Sequence, residues 1–137
     1  MDKGRTVTVR NVTQMSPEDI YIAMRKMYDN IMVTEAILGP QDLEAIIKLL
    51  GWCTNQKSYL SSLGVYLDIA TRNAKKSGNK DAYSDMVCRK NIVNRYYDQV
   101  DGIYKASSRQ ATLYMEQQKE LDDERRIHAV QKGWGGQ

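Results

Sequence analysis

The sequence predicts an all-α protein. We expect a helical bundle with a short N-terminal extended arm, three shorter helices and one long C-terminal helix that forms a hairpin with the third. Two observations lead to this prediction. Apolar residues recur at steps of three and four along most of the chain, which is the spacing of one helix face. The 137 residues contain only two prolines, and none lies between residue 79 and residue 132.

Composition predicts one small domain. Hydrophobic residues make up 42% of the chain and charged residues 27%, which is enough apolar material for a core. We assign residues 1–132 to a single helical domain, with 1–15 as the arm and 133–137 as a flexible tail. Residues 1–10 are polar and lack the apolar segment of a signal peptide, so a cytoplasmic location is expected, with no membrane contact.

The N-terminal segment is the only candidate for extended structure. Residues 6–12 read Thr-Val-Thr-Val-Arg-Asn-Val, which is rich in β-branched residues, with valines at alternate positions. No second strand is available in the chain to pair with it. Two interpretations stay open: an arm without fixed structure, or a strand that docks on another subunit or a partner.

The first helix is predicted to begin at Ser16-Pro17 and to end at Gly39-Pro40. Ser16 can cap the free amides and Pro17 suits the first helical position, while glycine and proline together terminate a helix. Between these signals the apolar stripe contains Ile20, Met24, Met27, Ile31 and Leu38.

Two further helices are predicted before residue 79. A short helix opens at Pro40 and closes near Gly51, followed by a tight connection at Trp52 and Cys53. A third helix ends near residues 77–79. Gly64 lies inside it at a cost of about 1 kcal/mol relative to alanine, which predicts a close backbone approach there. The apolar faces of these two helices contain Leu43, Ile46, Ile47 and Leu50, and then Tyr59, Leu60, Leu63, Leu67, Ala70 and Ala74.

From Asn79 to about Lys132 the pattern predicts one helix of roughly 75 Å. Two apolar stripes run along it, so we expect it to contact two neighbours. Either Gly102 kinks the helix, or a second chain covers its second half. We therefore predict a homodimer.

Catalytic and metal-binding signals are weak. The single histidine, His128, lies near the end of the long helix, where a cation interacts favourably with the helix dipole. Glu116, Glu120 and Asp123 share a helix face, but arginine and lysine residues interleave with them, which favours a solvated charged surface. We predict no enzyme activity, no metal and no cofactor.

The two cysteines, Cys53 and Cys88, lie 35 residues apart and form no C-x-x-C pair. Without a secretion signal, reduced and buried thiols are expected, and a disulfide or a reactive thiol is the alternative. Together with His128 they provide three candidate ligands, where a structural zinc site usually needs four.

Charge asymmetry is the most informative feature for function. Residues 72–95 contain seven basic side chains against two acidic ones, a local net charge of +5, whereas residues 116–126 carry −2. The hairpin would gather the cations at one tip, where they could contact phosphates or an acidic protein surface. A solvated helix turn without a partner is the alternative interpretation.

The chain has nine tyrosines and no phenylalanine, and tyrosine and arginine are frequent among binding hot spots. Cations and amphipathic aromatics coincide only around the hairpin tip and the first part of the long helix. The predicted partner-binding residues are Arg72, Lys75, Lys76, Lys80, Tyr83, Arg89, Arg95 and Tyr96.

Residues 74–86, AKKSGNKDAYSDM, and the tyrosine-punctuated helix that follows resemble small all-helical accessory proteins of bacteriophages and mobile elements. The resemblance implies a protein that acts by binding, as an assembly factor, regulator or inhibitor in the host cytoplasm. We therefore expect a non-enzymatic interaction protein that binds and modulates or inhibits a larger protein or protein–nucleic acid assembly. Direct nucleic-acid binding through the basic tip is the alternative.

Overall fold

The computed structural model describes residues 6–38 and 43–135, with side chains described for 6–30 and 43–130. This part of the chain forms three helices: α1 (Pro17–Leu38), α2 (Leu43–Ser77) and α3 (Lys80–Gly135). The prediction of an all-α fold is confirmed, and none of these three helices combines the length and apolar character needed to cross a bilayer. Gly39-Pro40, proposed as the end of the first helix, lies outside the described residues.

The predicted start of α1 is confirmed. The backbone amide of Asp19 donates a 3.1 Å hydrogen bond to Oγ of Ser16, and Pro17 is the first helical residue. The hydroxyl therefore satisfies one of the amides that a helix leaves free at its first turn. Ile20, Ala23 and Met24 then bury the inner face of the helix.

The predicted break at Gly51, Trp52 and Cys53 is wrong, because α2 continues through all three residues. Two helices, not three, therefore precede the long one. The physical reason is a continuous buried stripe at heptad spacing. Its members are Ile46, Cys53, Leu60 and Leu67. Gly51 alone weakens a helix by only about 1 kcal/mol, less than burial of this stripe contributes.

Helices α2 and α3 run antiparallel, joined by a turn in which Gly78 adopts a φ of +74°. Lys57 pairs with Asp101, and Asp68 pairs with Lys90. Asp68 lies eleven residues after Lys57 on α2, whereas its partner Lys90 lies eleven residues before Asp101 on α3, as antiparallel helices require. Asn79 caps α3, because its Oδ1 accepts a 3.1 Å hydrogen bond from the backbone amide of Ala82.

The predicted extended arm is not observed within residues 6–15. The segment folds into consecutive turns instead, and the side chains of Val7, Val12 and Met15 are buried in the core. Asn11 organises the turns: its Oδ1 accepts a 2.8 Å hydrogen bond from the amide of Thr8, and its Nδ2 donates to the carbonyl oxygen of Thr6 at 2.9 Å. The three apolar side chains are therefore buried within the same chain.

Helix α3 differs between its two halves. Val93, Tyr96 and Val100 are buried in the core with α2 and α1, whereas every described residue from 116 to 130 is exposed. The helix passes through Gly102 without interruption, and it includes residues 133–135 of the predicted tail. The close backbone approach predicted at Gly64 is wrong, because a Cβ placed there would meet no atom within 4 Å.

The two thiols have different environments. Neither cysteine forms a disulfide, and Cys53 is fully buried as expected. Cys88 is exposed, so the prediction of two buried thiols is wrong for this residue. It lies on the face of α3 that is turned toward α1 and away from the core contact with α2.

Candidate interaction surface

The turn between α2 and α3 carries a cluster of exposed cations, which we call the tip: Arg72, Lys75, Lys76 and Lys80. In the described part of the chain, none of the four forms an ion pair or hydrogen bond with another side chain. Their charges are therefore available to a partner, and the two helices that carry them form a rigid support.

Local electrostatics explain how this charge density is tolerated. Lys75 and Lys76 lie in the last turn of α2, where free carbonyl oxygens favour positive charge. The nearest interhelical pair is Lys90 with Asp68 at 2.6 Å, which neutralises one further cation. Asp81 and Asp85 are exposed on α3 and reduce the local charge without pairing with the tip lysines.

Tyr83 is the aromatic residue closest in sequence to these cations, and it is 37% exposed. It lies three residues after Lys80, so both side chains are on neighbouring positions of one α3 face. A half-exposed ring on a helix can contribute contact area to a partner with little loss of entropy. The tip therefore combines four cations with one amphipathic ring.

Two of the predicted contact residues lie in the core. Arg89 is 8% exposed, and its Nε donates a 2.7 Å hydrogen bond to the carbonyl oxygen of Met15. Tyr96 is 3% exposed, and burial raises the pKa of its phenol above the ordinary value. Neither side chain can take part in an accessible tip surface. Their burial follows from contacts with residues 6–16 and α2 that helix periodicity alone does not specify.

Arg95 is separated from the tip. It lies fifteen residues after Lys80, about 22 Å along the helix at 1.5 Å per residue. There it lines a groove of about 790 Å³ between α1 and α3. The groove is also lined by Tyr21, Met24, Arg25, Tyr28, Cys88, Asn91 and Ile92. The structure therefore divides the predicted residues among the tip, this groove and the core.

A polar cluster between α2 and α3 was not predicted from the sequence. Nζ of Lys57 lies 2.8 Å from Oδ1 of Asp101, and 4.7 Å and 5.6 Å from the ring centroids of Tyr104 and Tyr97. Asp101 also accepts from Lys105 at 2.9 Å. The hydrogen bond from Lys57 lowers the pKa of Asp101, and the same bond raises the pKa of Lys57. The only feature of the sequence that corresponds to this polar cluster is the seven-residue spacing of Tyr97 and Tyr104.

The groups considered for catalysis are dispersed on the surface. His128 is exposed near the end of α3, as are Glu116, Glu120 and Asp123. Within residues 6–30 and 43–130, whose side chains the structure describes, there is no group of three or more His, Cys, Asp or Glu side chains that could hold a metal ion. Within the described part of the chain, the tip is therefore the surface whose residues most clearly indicate a kind of binding partner.

Comparison with known proteins adds no functional assignment. No protein-family model, curated protein or solved structure matches this chain. The function is therefore inferred from the geometry and charge of the described residues themselves.

Proposed function

We propose that this chain is a non-enzymatic interaction protein that binds, and thereby modulates or inhibits, a larger protein or protein–nucleic acid assembly. The tip would contact an anionic surface of that assembly. The observation that carries the proposal is the group of exposed cations without partners at the end of two packed helices: Arg72, Lys75, Lys76 and Lys80. The resemblance to phage accessory proteins agrees with such a role in a host cytoplasm.

Physical chemistry favours an anionic partner. Clustered cations create a local field that speeds encounter with a surface of opposite charge. The four side chains are held by α2 and α3, so binding orders few backbone degrees of freedom. Tyr83, beside them, adds an anchor of the type often found among binding hot spots.

Direct binding of nucleic acid is the second candidate, because the same cations could neutralise phosphates. Single-strand binders combine a basic groove with several aromatic rings on which bases stack. At the tip only Tyr83 meets this description, since Tyr96 is buried. Binding through the cations alone would therefore be insensitive to sequence and strongly dependent on salt.

The test is a pull-down from lysate of the cell that carries the gene, with and without nuclease. The tip variant combines Lys75→Glu, Lys76→Glu and Lys80→Glu. The matched control combines Lys119→Glu, Arg125→Glu and Arg126→Glu, three exposed cations at the far end of α3, so both variants change the net charge equally. We expect the wild type and the control to retain a shared protein partner that the tip variant loses.

Two outcomes would overturn the protein-binding proposal. If the tip variant retains the same partners as the wild type, the tip is only a solvated turn. If nuclease removes every partner, and labelled DNA or RNA binds directly with an affinity that falls steeply with salt, the second candidate is correct. A protein-only binder leaves the free nucleic acid unbound.

A further inference from the structure

The groove between α1 and α3 has the size and the lining of a binding site. Its volume of about 790 Å³ lies within the range of about 300–1,000 Å³ that ligand pockets occupy. The deepest lining residues are apolar or aromatic: Met24 of α1 and Tyr96 of α3 are 2% and 3% exposed, and Ile92 is partly buried against the core. The groove is therefore concave, with an apolar floor.

The two walls are held in place by the fold. Met24 and Tyr96 belong to the hydrophobic core that joins α1 to α3. The hydrogen bond from Nε of Arg89 to the carbonyl oxygen of Met15, two residues before α1 begins, fixes the start of α1 against α3. A ligand would therefore enter a preformed groove and lose little free energy in ordering it.

The α3 wall of the groove is rich in side-chain amides. Asn91, Asn94 and Gln99 line the groove within nine consecutive residues, and all three are exposed. None of the three forms a hydrogen bond in the described part of the chain. Each amide offers a donor and an acceptor, the two groups that the main chain of an extended peptide also presents. A helical ligand satisfies its own main chain, so this wall favours an extended one.

Two arginines of the described chain line the groove, and one of them is available to a ligand. Arg25 pairs with Asp29 at 3.3 Å, whereas Arg95 is exposed and forms no ion pair within the described residues. A guanidinium group binds a carboxylate through two parallel hydrogen bonds. Asp98, which also lines the groove, would repel a ligand with several phosphates. The charges therefore suit a single carboxylate opposite Arg95.

We propose that this groove binds an extended segment of a partner protein, with a carboxylate on Arg95 and apolar side chains on the floor. The α3 wall runs from Cys88 to Gln99, about 16 Å at 1.5 Å per residue. An extended chain rises about 3.3 Å per residue, so about five residues fit. The inference goes beyond the proposed function, because it uses a different surface from the tip.

The pattern of the bound segment follows from the geometry of an extended chain. Successive side chains point to opposite sides, so every second side chain faces the floor. We therefore expect apolar residues at alternate positions and an aspartate or glutamate between two of them. The main chain pairs with the amides of the α3 wall, as in other modes of extended-peptide recognition.

Cys88 provides a way to block the groove. It lines the groove and is exposed, whereas Cys53, the other cysteine of the chain, is fully buried. A bulky maleimide should therefore label Cys88 selectively in the folded protein and obstruct the groove. The matched control combines Cys88→Ser with Ser58→Cys, which moves the same label to an exposed position on α2 outside the groove.

The probe is a phage-displayed library of random seven-residue peptides, selected on the wild type. Selected sequences are then synthesised with a fluorophore and measured by fluorescence polarisation at physiological salt. We expect labelling of Cys88 to weaken binding at least about tenfold, and Arg95→Met to weaken it by a similar factor. The labelled Ser58→Cys control should bind as the wild type does.

Two further controls separate this site from general charge effects. Arg109→Met removes the same charge from an exposed position of α3 outside the groove, and it should leave binding unchanged. The tip variant, with Lys75→Glu, Lys76→Glu and Lys80→Glu, should bind within about threefold of the wild type, because salt screens distant charges. Circular dichroism of each variant checks that its helix content equals that of the wild type.

Four results would overturn the proposal. The first is a selection that yields no peptide with a dissociation constant below about 100 µM. The second is a set of peptides that bind the Cys88-labelled protein as well as the unlabelled one. The third is equal binding by Arg95→Met and Arg109→Met. The fourth is a loss of binding confined to the tip variant, which would assign the peptides to the tip instead.

Discussion

Nε of Arg89 on α3 donates a 2.7 Å hydrogen bond to the backbone carbonyl oxygen of Met15, a residue 74 positions earlier in the chain. The arginine is 8% exposed and Met15 is 2% exposed. A side chain of the third helix thus satisfies a backbone acceptor of the segment that precedes the first helix. Residues 6–16 are held in place by this bond and by a second one, from the hydroxyl of Tyr59 to the carbonyl oxygen of Val7.

Arg89→Met should lower the free energy of unfolding by about 1–3 kcal/mol, because it retains much of the buried volume but leaves the Met15 carbonyl without its donor. Urea denaturation monitored by circular dichroism measures the change. Arg95→Met is the control, since that side chain is exposed and its replacement should change stability by less than about 0.5 kcal/mol. Equal effects of the two variants would contradict a structural role for the bond.

Asn11→Ala should destabilise the N-terminal turns selectively. The substitution removes both the acceptor for the Thr8 amide and the donor to the Thr6 carbonyl, at a cost of about 1–3 kcal/mol. Hydrogen exchange should accelerate at Asn11, Val12 and Met15, whose amides bond within these turns, more than in the middle of α2. Gln14→Ala, at an exposed position, should leave those rates unchanged.

Asp101→Asn should show a stability deficit that depends on pH. The hydrogen bond from Lys57 lowers the pKa of Asp101 below its ordinary value of 3.8, so the folded state prefers the ionised carboxylate. Its stabilising contribution is present above the unfolded pKa, and it is lost as the pH falls through the lower folded pKa. At pH 7 the wild type should have a higher free energy of unfolding than the variant. This difference in stability should shrink below about pH 4.

Thermal unfolding between about pH 2.5 and pH 7 tests this dependence. The control is Asp98→Asn, an exposed carboxylate on the same helix without an ion pair in the described chain. Its stability should stay close to that of the wild type across the range. A constant difference between wild type and Asp101→Asn at all pH values would show that ionisation of Asp101 does not stabilise the fold.

Two glycine substitutions should change stability in opposite directions. Gly78 adopts a φ of +74°, so Gly78→Ala forces a left-handed conformation on a residue with a Cβ and costs about 1–2 kcal/mol. Gly102 is helical and exposed, with open space where an alanine methyl would lie, so Gly102→Ala should stabilise α3 by up to about 1 kcal/mol. Melting temperatures that shift in the same direction would contradict this assignment.

The local pattern of residues was sufficient to predict helix type and several ends. Ser16-Pro17 starts α1 because capping depends only on nearby atoms, and the same applies to Asn79 at the start of α3. The break predicted at Gly51 failed because a local helix-weakening residue was outweighed by heptad burial of Ile46, Cys53 and Leu60 against other parts of the fold.

The candidate site was predicted only in part for a related reason. Arg72, Lys75, Lys76 and Lys80 are exposed at the tip because they lie next to a turn, and a turn is visible in the sequence. Arg89 and Tyr96 belong to residue types that are frequent among binding hot spots, yet both are buried. Whether a side chain on a long helix faces solvent depends on which neighbour covers it, and that neighbour is distant in sequence.

The sequence by itself therefore determined the helical class, the capped start of α1, the turn before α3 and the concentration of positive charge around that turn. These properties depend on interactions within a few residues. Only the tertiary structure decided that residues 6–15 fold back into the core, that Lys57 lies between Tyr97 and Tyr104, and that Arg89 is buried against Met15. Each of these depends on contacts between segments far apart in the chain, whose free energies no local pattern encodes.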